Sequence, residues 1–414
     1  MNSEPQNYCP YPFTQLTTTP TGRWKLCCSS SEAFGAISDF SGEAQPSIRE
    51  NSPQKFWNGE YLKWVREKHL KREPIKECAA CFLYEKNGAE SYRQRALKEF
   101  GMVSQPLKTP ISLDLKLGNK CNAACLFCDP SSSSRVLKEW QEIGWDQQVP
   151  FDSGLTGVVN QDLFSVDYDW AESPDFWSEL LKASQNLKNL KFTGGEPLIN
   201  SYMVKYLDHL VENDYAKNIR LQTTTNGIVV PEKFLKILPR FREVQLNFSV
   251  DGFGKQNEYI RHPTKWEPWL KNIHRVMDSV PENVELYFQH SISAYSVFGL
   301  SDYFRWMWPY KRFRFHLFKV FHPRFQRTEL LTTPEKKQVA EQLTQLLAEL
   351  STQVTCERDA QLLREIEGIR GFIVSEEDWS FMKPQLRSFL QTLDKHRKVS
   401  LRDAMPHAAD SIGL

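Results

Sequence analysis

Cys121, Cys125 and Cys128 form a C-x3-C-x2-C run that directly follows a predicted strand. Three thiolates on one loop can ligate three irons of a cubane iron–sulfur cluster, which leaves the fourth iron without a protein ligand. An open iron can bind and reduce another molecule. A structural zinc site is the alternative interpretation, but such a site generally takes four protein ligands, and the nearest further candidates are Asp129 and a distant histidine. The run therefore favours a cluster with an open iron.

A second group of cysteines lies nearer the start of the chain. It offers four thiolates in separated groups, which suits a fully ligated cluster: Cys9, Cys27, Cys78 and Cys81. Cys28 could replace Cys27 as a ligand, and a ribbon-type zinc site also fits this pattern. Because the chain shows no secretory signal, its cysteines are expected to stay reduced, and clustered reduced cysteines indicate a metal site.

Polar and glycine-rich motifs stand at the ends of three further predicted strands. They are Thr193-Gly194-Gly195-Glu196-Pro197, Asn226-Gly227 and Ser249-Val250-Asp251-Gly252. The carboxyl ends of parallel strands meet at one edge of a sheet, where such folds bind ligands. Paired glycines allow a ligand to approach the backbone, and a glutamate offers a carboxylate to an ammonium group. The motifs therefore predict one shared ligand site.

These strands belong to a regular alternation of strands and helices. Apolar and polar residues alternate with a period of two from Ile111 to Leu117, which predicts a strand. The six predicted strands are Ile111–Leu117, Leu187–Thr193, Ile219–Thr224, Glu243–Val250, Val284–Ser291 and Arg312–Val320. Helical patterns such as Tyr202–Asn213 and Trp266–Ser279 lie between them. This spacing predicts βα units on a parallel sheet or barrel.

The chain divides into three regions by its pattern. Residues 1–105 are rich in cysteine and carry predicted helices at Pro53–Arg72 and Glu90–Phe100, residues 106–325 carry the strands, and residues 326–414 are mostly helical. A long acidic and aromatic segment from Trp145 to Asp175 interrupts the first crossover. It is either a solvated surface loop or a lid over the predicted site.

Composition restricts the partners of the chain. Its 414 residues are 40% apolar, which is enough for a sizeable core, and its formal net charge of +1 gives no general attraction to nucleic acid or anionic membranes. No apolar run approaches the roughly 20 residues that span a bilayer. The polar start, Met1 to Pro12, lacks the apolar segment of a secretory signal. We therefore predict a cytoplasmic protein that does not enter the membrane.

The C-x3-C-x2-C run, with Phe127 before its last cysteine, and the motifs at the strand ends resemble the radical S-adenosylmethionine (SAM) superfamily over about Ile111 to Pro323. The resemblance implies a partial (β/α)6 TIM-like barrel and a [4Fe-4S] cluster on the three cysteines, whose open iron binds SAM. It implies that the paired glycines and the glutamate hold the methionine amine and that Arg261 binds the carboxylate. The residues implied to contact SAM are Phe127, Gly194, Gly195, Glu196, Asn226, Ser249, Asp251 and Arg261.

The opening Cys9-x12-Gly22-x4-Cys27 and the later Cys78-x2-Cys81 are similar to the SPASM/twitch module, which carries an auxiliary [4Fe-4S] cluster. That module usually follows the barrel, whereas here it precedes the predicted strands. The implied reaction is reductive cleavage of SAM to a 5′-deoxyadenosyl radical that takes hydrogen from a substrate, with electrons from a flavodoxin- or ferredoxin-type donor. The resemblance favours a peptide substrate, then a small molecule or carbohydrate, then tRNA.

Two features and one rival interpretation remain. The basic and aromatic stretch from Trp306 to Arg327 fits either a phosphate or nucleic-acid contact or simply the sixth strand, which would place Arg314 and His316 on one face as substrate contacts. Cys356 is either a thiol without a special role or a hydrogen donor to a substrate radical. The rival for the whole chain is a non-enzymatic zinc-binding scaffold, in which both cysteine groups are structural.

Overall fold

A single sheet organises the protein. The computed structural model describes residues 7–30, 47–86, 88–145, 163–164, 166–375 and 377–414. The strands lie in the order β2-β1-β3-β4-β5-β6-β7-β8. Their bounds are β1 Gln15–Thr18, β2 Trp24–Lys25, β3 Ser112–Lys116, β4 Asn189–Thr193, β5 Arg220–Thr225, β6 Glu243–Ser249, β7 Val284–Ile292 and β8 Phe313–Lys319. β2 pairs antiparallel with β1, and every other neighbouring pair is parallel.

Helices precede, connect and follow the strands. Those before β3 are α1 Tyr11–Thr14, α2 Pro53–Trp57, α3 Glu60–Leu70, α4 Ala79–Lys86 and α5 Tyr92–Phe100. Those between β3 and β8 are α6 Ser134–Glu142, α7 Pro174–Lys182, α8 Ser201–Glu212, α9 Glu232–Ile237, α10 Lys255–Ile260, α11 Trp266–Ser279 and α12 Leu300–Met307. Those after β8 are α13 Thr333–Ser351, α14 Glu357–Ser375, α15 Lys383–Arg397, α16 Leu401–Ala404 and α17 Pro406–Ile412. Among the described residues, no helix is long and apolar enough to cross a membrane.

The period-two pattern separates an apolar face of the sheet from a polar one. On β7 and β8, Phe288 and Phe313 stack within the apolar core, with their ring centroids 4.0 Å apart. On the opposite face, the rings of Tyr287 and His316 stack at 4.5 Å, and Arg314 pairs with Glu285 at 3.0 Å. The predicted sixth strand is therefore confirmed, and Arg314 and His316 lie on its polar face.

The observed sheet differs from the predicted six-stranded partial barrel in its number of strands and in its closure. The α/β architecture and the six predicted strands are confirmed, as β3 to β8, but the sheet has eight strands and is not closed. Its additional strands, β1 and β2, come from the cysteine-rich region. β1 was missed because it has four residues that are all buried, so it shows no alternation. Since β1 pairs with β3, the cysteine-rich region joins the same sheet, and the predicted domain boundaries stay predictions.

Two other predicted elements differ from the structure or are only partly described. The predicted helix Pro53–Arg72 is two helices, α2 and α3, because the chain turns at Asn58 and Gly59. Residues 146–162 and 165 of the predicted lid lie outside the described residues. Its described part includes Trp170, which is buried and donates a hydrogen bond from Nε1 to the carbonyl of Pro20 at 2.8 Å. This end of the segment therefore packs against the turn between β1 and β2.

Candidate metal centre

The loop that carries the three closely spaced cysteines follows β3 and is held by its backbone. The amide of Ala124 donates to the carbonyl of His262 at 2.6 Å, and that of Leu126 donates to Ile260 at 2.9 Å. The hydroxyl of Ser133 donates to the carbonyl of Ala123 at 2.6 Å. These bonds fix the loop between the end of α10 and the start of α6. The cysteines are thus carried by a loop that is anchored on both sides.

The three sulfurs of this loop interact with one another. The Cys128 thiol forms a hydrogen bond to Cys125, which is the largest cause that lowers the pKa of Cys125 to about 7. Burial, followed by the neighbouring Cys125, raises the pKa of Cys121 to about 11. The side-chain amide of Asn226 lies 3.9 Å from the Cys121 sulfur. One short loop therefore gathers three mutually close thiols.

Arg261 and Asp251 form a buried ion pair beside these sulfurs. Arg261 Nη1 lies 2.6 Å from Asp251 Oδ2, and the two side chains are 9% and 1% exposed. Asp251 Oδ1 accepts a hydrogen bond from the amide of Ser291 at 2.6 Å. Burial alone would lower the pKa of Arg261, but the charges of Cys125 and Asp251 raise it overall. Arg261 is therefore a permanent cation next to the cysteine sulfurs, and its Nε is buried without a partner among the described residues.

Glu196 is buried where β4, β5 and the cysteine loop meet. Its Oε1 accepts from Leu198 N at 3.1 Å and from Thr225 Oγ1 at 2.8 Å, and its Oε2 accepts from Asn226 N at 2.6 Å. A carboxylate has about four acceptor positions, so one remains for a ligand. Burial raises the pKa of Glu196. The structure thus fixes this carboxylate and leaves it capacity for one more donor.

The paired glycines before Glu196 allow a close approach of the backbone. Gly194 and Gly195 have φ of +78° and +49°. A Cβ on Gly195 would lie 2.3 Å from the carbonyl oxygen of Lys120, and one on Gly194 would lie 2.9 Å from the amide nitrogen of Leu117. The glycines therefore allow the segment after β3 to pack on them, and their contact with a ligand stays a prediction.

The remaining predicted contact residues lie around the same edge. Asn226 Nδ2 donates to Asn122 Oδ1 at 2.7 Å, which ties the end of β5 to the cysteine loop. Ser249 is partly exposed at the end of β6. Phe127 is partly buried against the core formed with the C-terminal helices. Cys356, by contrast, is exposed just before α14.

The N-terminal cysteines form a second centre. One small cavity is lined by four of them, Cys9, Cys27, Cys78 and Cys81. The first of these thiols is buried, and burial raises the pKa of Cys9 to about 12. Cys28 instead lines a different cleft, on the polar face of the sheet. The cavity therefore contains the four predicted ligands and separates Cys27 from Cys28.

The donor sets fit iron–sulfur clusters. Three thiols lie close together on one loop, and four thiols line one cavity. Three thiolates leave one iron of a cubane without a protein ligand, and four thiolates ligate it fully. Both cysteine groups therefore suit [4Fe-4S] clusters.

Several residues that hold the site carried no recognisable sequence signal. Arg397 of α15 donates to the carbonyl of Ala124 at 2.8 Å and bonds both carboxylate oxygens of Glu139 at 2.6 Å. Gln326 Nε2 donates to the carbonyl of Leu126 at 2.9 Å. Since Arg397 and Glu139 are 258 positions apart, no local pattern could have linked them. The C-terminal helices thus contribute directly to the cysteine loop.

Comparison with known families agrees with this geometry. Residues 115–288 match the Radical SAM superfamily, and residues 9–82 match an iron–sulfur cluster-binding domain, SPASM. Two segments of the chain thus match a radical SAM domain and a SPASM-type domain. These domains imply a SAM-binding [4Fe-4S] cluster, SAM itself and auxiliary iron–sulfur clusters.

Individual relatives are distant. The chain is 23% identical over 221 residues to the radical SAM cyclopropyl synthase TigE of Paramaledivibacter caminithermalis, covering 53% of this chain and 42% of that protein. It is 23% identical over 150 residues to an uncharacterized protein of Methanocaldococcus jannaschii, covering 36% and 41%. The chain thus spans about two-fifths of the length of these curated relatives.

Solved structures align with the chain at low similarity. Native anSMEcpe with bound AdoMet aligns with a TM-score of 0.38 at 16% identity, covering 59% of this chain and 61% of that chain. Streptococcus suis SuiB bound to its precursor peptide SuiA aligns with a TM-score of 0.36 at 12% identity, covering 68% and 62%.

Proposed function

We propose that this protein is a radical SAM enzyme whose Cys121, Cys125 and Cys128 hold a [4Fe-4S] cluster with one open iron. When bound, the cluster and SAM supply a 5′-deoxyadenosyl radical, which abstracts a hydrogen atom from a substrate. The observation that carries this proposal is the convergence of the three sulfurs with one buried cation, Arg261, and one buried carboxylate, Glu196. These groups complement the carboxylate and the ammonium of an amino acid.

Each residue of the site has a proposed role toward SAM. Glu196 accepts a hydrogen bond from the methionine amine at its remaining acceptor position, and Arg261 binds the methionine carboxylate. Asp251 positions Arg261, because the pair is buried and Asp251 is itself fixed by Ser291. The residues proposed to line the rest of the SAM site are Phe127, Gly194, Gly195, Asn226 and Ser249.

The second cysteine group is proposed to hold an auxiliary [4Fe-4S] cluster. Its ligands are Cys9, Cys27, Cys78 and Cys81, which line one cavity. A flavodoxin- or ferredoxin-type protein is the proposed electron donor. The SPASM-type domain favours a peptide substrate, ahead of a small molecule or carbohydrate and of tRNA.

Cleavage of SAM tests this function directly. We expect the anaerobically reconstituted protein, reduced with dithionite in the presence of SAM, to form 5′-deoxyadenosine. Cys125→Ala should abolish product formation, because it removes a cluster ligand. Cys356→Ala is the matched control, since Cys356 is exposed and is expected to leave cleavage unchanged.

The zinc scaffold predicts a different result in the same samples. Stoichiometric zinc without iron or acid-labile sulfide, and no 5′-deoxyadenosine, would refute the proposed function. Iron and sulfide in the ratio of [4Fe-4S] clusters, lost in part from Cys125→Ala, would refute the scaffold.

A further inference from the structure

A polar cleft lies over the amino-terminal halves of β3, β4 and β5. Its volume is about 210 Å³, and strand residues that line it include Asp114, Lys191 and Gln222. Tyr92 of α5 and Cys28 complete its wall. The loop of Cys121, Cys125 and Cys128 follows the opposite, carboxyl end of β3. The polar face of the sheet therefore extends from this cleft toward the proposed SAM site.

Asp114 has an unused acceptor in the cleft. The residue is 5% exposed, and its Oδ2 lies 3.3 Å from Lys191 Nζ. Its Oδ1 is buried and has no hydrogen-bond partner among the described residues. A buried oxygen without a donor loses the free energy of its hydration, which a bound donor would restore. The carboxylate is thus built to receive a hydrogen bond from a ligand.

Cys28 belongs to this cleft and not to the cavity of the other N-terminal cysteines. That cavity is lined by Cys27 but, among the described residues, not by Cys28. The charges that act most strongly on Cys28 are those of Asp114 and Lys191. The backbone therefore points two adjacent cysteines to two different places, one to the proposed cluster and one to the cleft.

The charges of the cleft disfavour an anionic ligand. Lys191 already pairs with Asp114. Arg220 Nε lies 2.8 Å from Glu243, and Arg95 lies 3.0 Å from Glu90. Because each of these cations has a carboxylate partner, an anionic ligand would lack a counter-ion and would be costly to desolvate. Glu99 also lines the cleft and accepts a hydrogen bond from Asn189 Nδ2 at 2.7 Å. A group that donates a hydrogen bond therefore fits best.

We propose that this cleft is the substrate site, that Asp114 Oδ1 accepts a hydrogen bond from a hydrogen-bond-donating side chain of a peptide, and that Cys28 contacts this side chain as a free thiol. The proposal rests on the proposed function, because it assigns the cleft to the substrate of the same enzyme. It excludes Cys28 from the ligands of the auxiliary cluster.

Iron content tests the assignment of Cys28. In the reconstituted full chain, Cys27→Ser should lose about half of the iron, that of one of two [4Fe-4S] clusters. Cys28→Ser should keep the iron content of the unsubstituted protein. Loss of iron from Cys28→Ser with retention in Cys27→Ser would overturn the assignment. Equal loss from both variants would overturn it as well.

Protection of Cys28 tests the ligand class. The probes are two capped tripeptides, acetyl-Gly-Asn-Gly-amide and acetyl-Gly-Leu-Gly-amide, which differ in one side chain of similar size. We expect the first peptide to slow the modification of Cys28 by N-ethylmaleimide by at least about threefold. A peptide present at twice its dissociation constant leaves about one third of the sites free to react. The second peptide should not slow the reaction, and Asp114→Ala, which removes the acceptor, should lose the difference between the peptides. Equal rates with both peptides, or Cys28 that reacts only after iron is removed, would overturn the proposal.

A parallel measurement separates this inference from the function on which it rests. The same preparation is assayed for 5′-deoxyadenosine without peptide. Cleavage of SAM without protection of Cys28 would refute the cleft alone. Absence of cleavage from a preparation with full iron content would refute the proposed function.

Discussion

Arg261 Nη1 donates to Asp251 Oδ2 at 2.6 Å, and this buried pair lies beside the sulfurs of the cysteine loop. The two residues reach each other because Asp251 lies two residues after the end of β6 and Arg261 directly follows α10. The same segment accepts two backbone hydrogen bonds from the cysteine loop. One ion pair therefore couples the positive charge of the site to the backbone that positions its sulfurs.

Asp251→Asn should destabilise the protein and weaken SAM binding. Removal of one partner of a buried ion pair leaves the other charge uncompensated, at a cost of about 3 kcal/mol. Urea unfolding and SAM titration of the reconstituted protein measure the two effects. Asp302→Asn is the control, because Asp302 pairs with Arg305 on the surface and is 73% exposed; it should cost less than about 1 kcal/mol. Equal effects of both substitutions would contradict the role given to Asp251.

Arg397→Ala should loosen the cysteine loop from a distance. The substitution removes the donor to Ala124 and leaves the Glu139 carboxylate buried without its cation, at a cost of about 3 kcal/mol. We expect faster release of iron to a chelator, measured by the absorbance of the chelated iron. Arg402→Ala removes an exposed pair with Asp410 on the same C-terminal segment and should release iron at the original rate. Identical rates in both variants would show that the loop does not depend on α15.

Gly195→Ala should cost more than the same change at a glycine of similar conformation. Gly144 also has positive φ, at +72°, but a Cβ there meets nothing within 4 Å. Both substitutions carry the penalty of left-handed backbone, about 1 kcal/mol. At Gly195 the methyl group also collides with the Lys120 carbonyl, which should add about 2 kcal/mol. Urea unfolding of the two variants measures the difference, and equal free energies of unfolding would contradict this packing.

Local sequence patterns predict the strands and the two cysteine groups, but they do not predict which distant segments contact one another. β3 to β8 were predictable because apolar and polar residues alternate along them. The spacing of the cysteines predicts two metal centres, because spacing can also be read directly from the sequence. The pairing of β1 with β3 and the contact of Arg397 with Glu139 join distant segments, so no window of sequence contains them. Cys27 and Cys28 line different cavities because the backbone directs adjacent side chains to opposite sides, and the spacing of the cysteines does not reveal this direction.

His290 should make the stability of the protein depend on pH. The residue lies on the apolar face of β7 and is fully buried. Burial lowers its pKa to about 4. The unfolded chain has a histidine pKa of about 6.5, so it binds the proton more readily than the folded protein does. The stabilisation that comes from keeping His290 neutral is therefore fully present above pH 6.5. The free energy of unfolding falls by about 3 kcal/mol as the pH falls toward 4.

Replacement of this histidine by phenylalanine tests the pH dependence. His290→Phe keeps a ring next to Tyr303, whose centroid lies 4.3 Å away, and removes the titrating group. We expect the free energy of unfolding to fall less steeply between pH 6.5 and 4.5 than in the unsubstituted protein, measured by urea unfolding at each pH.

Some dependence of the free energy of unfolding on pH should remain in this variant, because burial also lowers the pKa of His262 to about 4. His407→Phe, at an exposed position, should leave the slope unchanged. At pH 8 the His290→Phe variant should be at least as stable as the unsubstituted protein, since a buried polar ring has been replaced by an apolar one. An unchanged slope, or a large loss of stability at pH 8, would contradict the view that His290 is held neutral by burial.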